Sequence, residues 1–241
     1  MNTSSTKRVP NSLIMNTELK EKEKALLYYL LAQANINSTK ALYKLCKTSY
    51  KEILRALDIV VDKNYKKKAK KLLNALESQA YIEYEESSIE SNKLLIEVLV
   101  SQPRKNFTRL PYALVNNKNV PLTLVPCYMS ILKHDYMKGC CNPSLETIAK
   151  YTGASVRSCH ERIKDLEALN LLEVERTKGG TRVTNTFKTS NGDSYLYELI
   201  EVEPRFEYDE PKKLVPKNKK VNTHPSIKSM LQERALEENV F

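Results

Sequence analysis

The sequence predicts an α+β fold that is mostly helical and that repeats one helix–helix–hairpin unit twice. Two similarities carry this prediction. "SYKEI" at residues 49–53 is similar to "SLETI" at residues 144–148, and "LESQAYIEY" at residues 76–84 is similar to "LEALNLLEV" at residues 166–174. Both pairs occur in the same order, with a helical pattern between them and a hairpin pattern after them. The alternative interpretation is a single helical domain with a chance similarity.

Helices followed by a hairpin are predicted in the first half of the chain. Leucines at helical spacing, with charged residues before them, indicate the first helix. Ser38 or Thr39 is expected to cap a second, short helix, and Ser49 a third. The predicted helices cover residues 18–34, 38–48, 49–61 and 64–80, and the predicted strands cover residues 81–87 and 93–100.

The second half repeats this order. Residues 107–115 predict a strand or an extended arm that leads in. A helix with Pro126 in its first turn follows, and Ser144 and Ser155 are the expected N-caps of two more helices around a turn at Gly153. The predicted helices cover residues 125–137, 143–152 and 155–170, and the predicted strands cover residues 171–176, 181–188 and 194–202.

These elements divide the chain into two domains with flexible ends. We expect a disordered tail over residues 1–17, a first domain over residues 18–100 and a linker over residues 101–106. The second domain is expected over residues 107–203. Residues 204–241 are rich in proline and lysine, which predicts a flexible basic C-terminal tail with one short helix.

Charge and composition restrict the classes of function. The formal net charge of +10 favours an anionic partner such as nucleic acid. We expect a cytoplasmic protein with reduced cysteines and no membrane partner, because neither a signal peptide nor an apolar run of about 20 residues is evident. The few glycines form no phosphate-binding loop, and the histidines and cysteines lack the usual metal-binding spacing. We therefore expect no enzyme activity, no cofactor and no metal.

Helix, turn, helix and hairpin in this order are typical of a winged helix-turn-helix, so the sequence predicts two tandem winged helix-turn-helix domains. In the second one, an apolar helix face is expected to pack on the core. The residues of that face are Val156, Cys159, Ile163 and Leu166. The remaining faces carry groups that are suited to bases and phosphates. These candidate DNA-binding residues are Ser155, Arg157, Ser158, Glu161, Arg162 and Lys164.

The hairpin after this helix is the candidate wing. Gly179 and Gly180 predict a tight tip, and Arg176, Lys178 and Arg182 give it positive charge for phosphates or the minor groove. The alternative interpretation is that the helix face is merely solvated and that the hairpin is basic by chance. The combination of the two features on a basic chain favours DNA binding.

The first domain carries a weaker signal. Its candidate recognition helix is expected to bury Ala69, Leu72, Leu73 and Leu76. Its exposed candidates for DNA contact are Lys67, Lys68, Lys71 and Asn74. The hairpin that follows is acidic at Glu85, Glu86 and Glu90, which would repel a DNA backbone. This domain is therefore predicted to be a secondary DNA contact or a dimerisation surface, and the alternative is a lysine face that only aids solubility.

Two segments resemble a known family. "NSLIMNTELKEKEKALLYYLLAQ" (residues 11–33) looks like the opening of tandem winged-helix replication initiators of theta-type plasmids from Gram-positive bacteria. "PSLETIAKYTGASVRSCHERIKDLEALNLLEVER" (residues 143–176) is similar to the winged helix of such initiators and of DnaD-like replisome organisers. The resemblance implies that the second domain reads repeated origin sequences through Arg157, Ser158, Glu161 and Arg162, while the first mediates dimerisation or a second contact.

The predicted function is therefore sequence-specific binding of double-stranded DNA, as a replication initiator of a plasmid or mobile element. The implied partners are origin repeats, further copies of the chain as a homodimer or multimer, and host helicase or primosome proteins. Two alternatives stay open: a transcriptional regulator or partition adaptor of a plasmid or phage, and a primosome protein–protein adaptor.

Overall fold

The computed structural model of the chain describes residues 6–34, 44–87, 93–100, 103–135, 140–179 and 182–189. The chain divides into two compact units, Met1–Phe206 and Glu207–Phe241. The second unit lies outside the described residues, as do the predicted strand at residues 194–202 and the predicted C-terminal helix.

Within the described residues, the first half runs in the order strand, helix, helix, strand, helix, helix, strand, strand. Its elements are β1 (Thr6–Pro10), α1 (Asn11–Ile14), α2 (Glu21–Gln33), β2 (Lys44–Ser49), α3 (Tyr50–Ala56), α4 (Tyr65–Glu77), β3 (Ile82–Glu86) and β4 (Lys93–Val98). The strands β2, β4 and β3 form an antiparallel sheet in that order.

The second half has the same order of elements. They are β5 (Phe107–Pro111), α5 (Tyr112–Asn116), α6 (Leu124–Leu132), β6 (Cys140–Cys141), α7 (Leu145–Thr152), α8 (Val156–Ala168), β7 (Leu172–Gly179) and β8 (Arg182–Thr189). Its sheet has the equivalent order β6-β8-β7. The predicted α+β fold class with winged-helix architecture is confirmed.

The repetition extends to backbone detail. The helices α4 and α8 are each followed by a residue in the left-handed region, Ala80 with φ 56° and Asn170 with φ 55°. The next amide then donates back to the helix in both places: Tyr81 N to the Leu76 carbonyl and Leu171 N to the Leu166 carbonyl, each at 3.0 Å. The same helix ending therefore leads into both hairpins.

The expectation of a disordered tail over residues 1–17 is wrong for Thr6–Ile14, which form β1 and α1. The strand β1 pairs antiparallel with β5, with Arg8 opposite Arg109. Val9, Leu13 and Ile14 are buried against the core. The sequence pattern did not indicate this strand, because its partner is about a hundred residues away and no local turn signal links the two.

Three other expectations change. The predicted helix over residues 38–48 is wrong from Lys44 onwards, because Lys44–Ser49 pair with β4, and its earlier part lies outside the described residues. The lead-in at residues 107–115 is a strand only as far as Pro111 and then becomes α5. The strand β6 was not predicted. For β2 and β6, strand pairing with a remote segment overrides local propensity.

The helix α2 forms the centre of the core. Every residue from Lys24 to Ala32 is buried, and α2 packs against α4 of its own half and against α5 and α6 of the second half. A helix that is apolar on all sides must be enclosed by other elements. The two halves therefore share one core around α2.

Lys24 is a charged group within this core. Its side chain is fully buried, and its ammonium nitrogen donates to the carbonyl of Ile14 at 2.9 Å and to the carbonyl of Tyr151. Burial lowers the pKa of Lys24 from 10.5 to about 8. One side chain thus connects α1 of the first half with α7 of the second half.

The pKa of Lys24 predicts a dependence of stability on pH. Between pH 8 and 10.5 the unfolded chain holds the Lys24 proton and the folded chain releases it, so the free energy of unfolding should rise with pH. Relative to the Lys24→Met variant, the free energy of unfolding of wild type should rise by up to about 1.4 kcal/mol per pH unit in this window. Urea denaturation of both proteins at pH 7 to 10 measures the difference. Lys22→Met, at an exposed lysine of the same helix, is the control, and a difference for Lys24 that stays constant over this window would contradict the burial argument.

Gly153 allows the first half to pack closely against α7 at the junction of the two halves, which Lys24 also connects. It ends α7 in the left-handed conformation, with φ 76°. A Cβ atom at this position would overlap the Leu19 carbonyl oxygen and lie 2.9 Å from Glu21 N. The amide of Glu21 donates to the Gly153 carbonyl at 3.2 Å. Only glycine leaves room for the backbone of α2 to approach this closely.

Gly153→Ala should therefore lower the free energy of unfolding by more than the ~1–2 kcal/mol that left-handed geometry alone costs, because backbone atoms surround the new methyl group. Thermal or urea denaturation measures the loss. Ala80→Gly is the matched control, since Ala80 has a similar φ of 56°. At Ala80, glycine relieves the strain of the positive φ, but the added conformational entropy of the unfolded chain costs ~0.4–1 kcal/mol. We therefore expect little change in the free energy of unfolding. Equal effects at both sites would contradict the close approach.

Candidate nucleic-acid interface

The helices α7 and α8 form a helix-turn-helix whose ends are fixed by hydrogen bonds. The hydroxyl of Ser144 accepts from the amide of Thr147, and that of Ser155 accepts from the amide of Ser158, each at 3.1 Å. Both predicted N-caps are confirmed. Because the turn at Gly153 is held against α2, the N-terminus of α8 has a fixed position on the surface.

The inner face of α8 packs on α6. Cys159, Ile163 and Leu166 are buried as expected, and the sulfur atoms of Cys159 and Cys127 of α6 lie 3.9 Å apart. Val156 is the exception. It was expected on this face, but it is 43% exposed. It is the first residue of the helix, and the packed face begins only at Cys159.

The outer face of α8 presents the predicted polar groups. The side chain of Arg157 is 92% exposed, and its Nε atom lies 3.4 Å from Oε1 of Glu161. Ser155 and Lys164 are exposed, and Ser158 is half-buried. A surface pair one helical turn apart is worth only about 0.3–0.5 kcal/mol. A ligand can therefore separate Arg157 from Glu161 at little cost.

Arg162 occupies a different environment from Arg157. Its Nε atom donates to Oε1 of Glu21 on α2 at 3.0 Å, and its Nη1 atom lies 3.9 Å from Asp165. The side chains of Arg162 and Glu21 are only 28% and 14% exposed. The hydrogen bond to Glu21 raises the pKa of Arg162 further. The structure thus places this predicted DNA contact in the junction between the halves.

The wing formed by β7 and β8 also has internal contacts. Arg176 donates from both terminal nitrogens to Glu167 of α8, at 3.1 and 2.6 Å. Lys178 and Arg182 lie at the end of the hairpin, where Gly179 pairs with Arg182. Their side chains lie outside the described part of the structure. Arg176 therefore links the wing to α8, and Lys178 and Arg182 remain candidate phosphate contacts.

In the first half, α4 is the equivalent of α8. Lys67 and Lys71 are exposed, whereas Lys68 pairs with Asp62 at 2.9 Å. The amide oxygen of Asn74 accepts from the hydroxyl of Tyr84 at 2.5 Å. The buried residues of α4 are Ala69, Leu73 and Leu76, and Leu72 is half-buried. Two of the four predicted contacts on this helix are thus engaged within the protein.

The acidic first wing is partly neutralised. Glu86 lies 3.0 Å from the Lys70 ammonium and accepts from the Tyr50 hydroxyl at 2.8 Å. Lys70 and Tyr50 lower the pKa of Glu86. Glu85 is exposed, and Glu90 lies outside the described residues. The repulsion of DNA expected from three carboxylates is therefore reduced at Glu86.

The junction was not anticipated from the sequence. Glu21 and Lys24 hold the helix-turn-helix from the first half, but neither belongs to a recognisable motif. Lys24 ends the charged run at residues 20–24, directly before the apolar part of α2, so no local pattern distinguishes it from the exposed lysines beside it.

The contact between Arg162 and Glu21 can be measured. In a double-mutant cycle of Arg162→Met and Glu21→Gln, the coupling energy should be about 1 kcal/mol, because both side chains are largely removed from water. The same cycle on the exposed pair Arg157 and Glu161 is the control, with about 0.3–0.5 kcal/mol expected. Urea denaturation supplies both values. Equal coupling energies would show that the junction gives Arg162 no special environment.

Comparison with known proteins agrees with the geometry of the second half. Residues 127–172 match the family model of a helix-turn-helix domain, from α6 to the first residue of β7. No match is found among curated protein sequences. Among solved structures, this chain is similar to the Pi initiator protein in a crystal structure with iteron DNA. The identity is 13% and the TM-score 0.47, over 79% of this chain and 99% of that chain.

The helix-turn-helix of α7 and α8 thus lies within the segment that is similar to this family model. Within the part of the chain that the structure describes, no helix is long and apolar enough to cross a membrane. Among the same residues, no group of three or more His, Cys, Asp or Glu side chains is placed to hold a metal ion.

Proposed function

We propose that this protein binds double-stranded DNA in a sequence-specific manner and initiates replication of a plasmid or mobile element at origin repeats. The observation that carries the proposal is the exposed N-terminal part of α8, within the segment that matches a helix-turn-helix domain. Its polar side chains point outward while its apolar face is fixed on α6.

Base reading is assigned to the outer face of α8 in the major groove. Arg157 leaves its weak pair with Glu161 and donates two N–H groups from one edge of its guanidinium to O6 and N7 of a guanine. Glu161 then accepts from the amino group of a cytosine. Ser158 and the exposed Val156 complete the set, since the methyl groups of Val156 fit the methyl group of a thymine.

Phosphate contacts are assigned around this helix. The hydroxyl of Ser155 and the N-terminal amides of α8 suit a phosphate oxygen, and Lys164 adds charge on the same helix. Lys178 and Arg182 at the wing are proposed to contact the next stretch of backbone or the minor groove. Lys67 and Lys71 on α4 are proposed as a secondary contact. Arg162 is reassigned from a DNA contact to a positioning residue, because Glu21 holds it.

The role in replication rests on the resemblance of residues 11–33 and 143–176 to tandem winged-helix initiators. A regulator or partition adaptor would use the same surface at a promoter or centromere, so the location of the bound site distinguishes them. Footprinting of the full chain over the replicon that encodes it tests the proposal. Protection of repeats in the origin supports it, and protection confined to a promoter replaces it with the regulatory role. Loss of any sequence preference would favour a primosome adaptor.

Arg157→Ala should weaken binding to the recognised site by about 1–3 kcal/mol and affect random duplex much less, because the variant cannot hydrogen-bond to the base. The melting temperature should not change, since the Arg157 side chain is 92% exposed. Fluorescence anisotropy on both duplexes measures the two affinities. Lys164→Ala is the control for a phosphate contact and should weaken both complexes alike. The same uniform weakening for Arg157→Ala would assign Arg157 to the backbone instead.

A further inference from the structure

The hairpin of β7 and β8 extends beyond the core of the second half. Val174 and Phe187 pair near its base, where Phe187 is fully buried and Val174 is half-buried. Beyond them the strands stay paired as far as Gly179 and Arg182, and Thr177 is exposed. A two-stranded hairpin without a packed face is only marginally stable in water. The outer part of this wing therefore needs a contact with the rest of its half in order to hold one orientation.

Arg176 supplies such a contact at the point where the apolar face of the hairpin ends. It follows Val174 by two positions, so its side chain projects from the same face of β7, towards α8. Its two terminal nitrogens donate to the two carboxylate oxygens of Glu167, in the last turn of α8, at 3.1 and 2.6 Å. Two parallel hydrogen bonds of this kind fix the relative orientation of the groups as well as their distance. Lys178 lies only two residues, or about 7 Å, further along the strand.

The pair leaves Arg176 poorly suited to a phosphate contact of its own. The terminal nitrogens that would bind a phosphate through two hydrogen bonds are the ones that Glu167 engages. The side chains of Arg176 and Glu167 are 46% and 26% exposed, whereas Arg157 is 92% exposed and makes a single 3.4 Å contact with Glu161. A DNA strand that captured Arg176 would also leave the charge of Glu167 unpaired near the phosphates. The geometry thus favours the bond within the protein.

The first wing has a contact at the equivalent position. Glu86 is the fifth residue of β3, as Arg176 is the fifth residue of β7. Glu86 lies 3.0 Å from the Lys70 ammonium of α4 and accepts from the Tyr50 hydroxyl of α3 at 2.8 Å. The fifth residue of each wing strand thus binds the helices of its own half, although one is an acid and the other a base. A contact that occurs with either sign of charge serves the position of the wing rather than the attraction of DNA.

We propose that Arg176 is a positioning residue for DNA binding, which holds the wing against α8 through Glu167 so that Lys178 and Arg182 meet the phosphates beside the groove. The inference rests on the proposed function and deepens it. It replaces the expectation from the sequence that Arg176 itself contacts DNA. It also gives an acid a part in DNA binding, because loss of Glu167 releases the wing as fully as loss of Arg176 does. A direct phosphate contact by Arg176 would make Glu167 a competitor of DNA instead.

The test compares Glu167→Gln with wild type by fluorescence anisotropy over a salt series, on a duplex that contains the footprinted site and on a random duplex. Both complexes should weaken several-fold, although the variant removes a negative charge from the DNA-binding half. The slope of log K against log salt should flatten by about 0.9 for each of Lys178 and Arg182 that no longer reaches a phosphate, hence by up to about 1.8. The melting temperature should change little, because both side chains of the pair are partly in water.

Exchange of the two residues, Arg176→Glu with Glu167→Arg, restores the pair with its charges reversed. Affinity and salt slope should return towards those of wild type. A direct phosphate contact predicts the opposite, because the exchange puts a carboxylate on the wing in place of the guanidinium. Glu173→Gln is the charge-matched control, since Glu173 is an exposed acid of β7 that pairs with Lys188 of β8 and not with α8. Its loss should not weaken binding.

Tighter binding by Glu167→Gln would assign Arg176 to a phosphate and overturn the inference. Unchanged affinity and slope, an equal loss in Glu173→Gln, or an exchange variant that binds no better than Glu167→Gln would overturn it as well. In these cases a site-specific loss in Arg157→Ala leaves the proposed function intact, whereas absence of duplex binding by wild type removes both. If the exchange variant unfolds, Arg176→Gln beside Glu167→Gln carries the test. Both should then weaken binding, because either change breaks the same pair, and opposite effects would overturn the inference.

Discussion

The buried ammonium of Lys24 is the contact on which the arrangement of the two halves depends. Its desolvation is costly, and the carbonyls of Ile14 and Tyr151 are the groups that offset this cost. Those carbonyls belong to different halves of the chain. Separating the halves would remove the Tyr151 carbonyl from the ammonium and leave it only the Ile14 carbonyl of its own half, so the structure resists a shift of α2 against α7.

The position of α8 follows from this contact. Gly153 lets the backbone of α2 approach the turn before α8, and Glu21 at the start of α2 holds Arg162 in the middle of α8. The helix proposed to read DNA is thus fixed by the first half as well as by its own core. Under the proposed function, the first half therefore contributes to recognition without having to touch a base.

The local features of the fold were predictable from sequence, and the remote ones were not. The caps at Ser49, Ser144 and Ser155 and both hairpins follow from patterns within a few residues of each feature. The strands β1, β2 and β6 depend on partners far along the chain, so no local pattern indicates them. The inner face of α8 was predicted except for Val156, whose exposure depends on where the packing against α6 begins.

For the candidate DNA contacts, too, the sequence alone does not predict which remote partner a side chain will have. Arg157 and Arg162 lie five positions apart on one helix, and the sequence gives both the same chemistry. The structure separates them, because one is 92% exposed beside a weak surface partner and the other is 28% exposed against Glu21. A group can bind DNA with net gain only if its partner within the protein is easily replaced. Under the proposed function, the exposed Arg157 is therefore the arginine available to contact a base, and Arg162 is the one that positions α8.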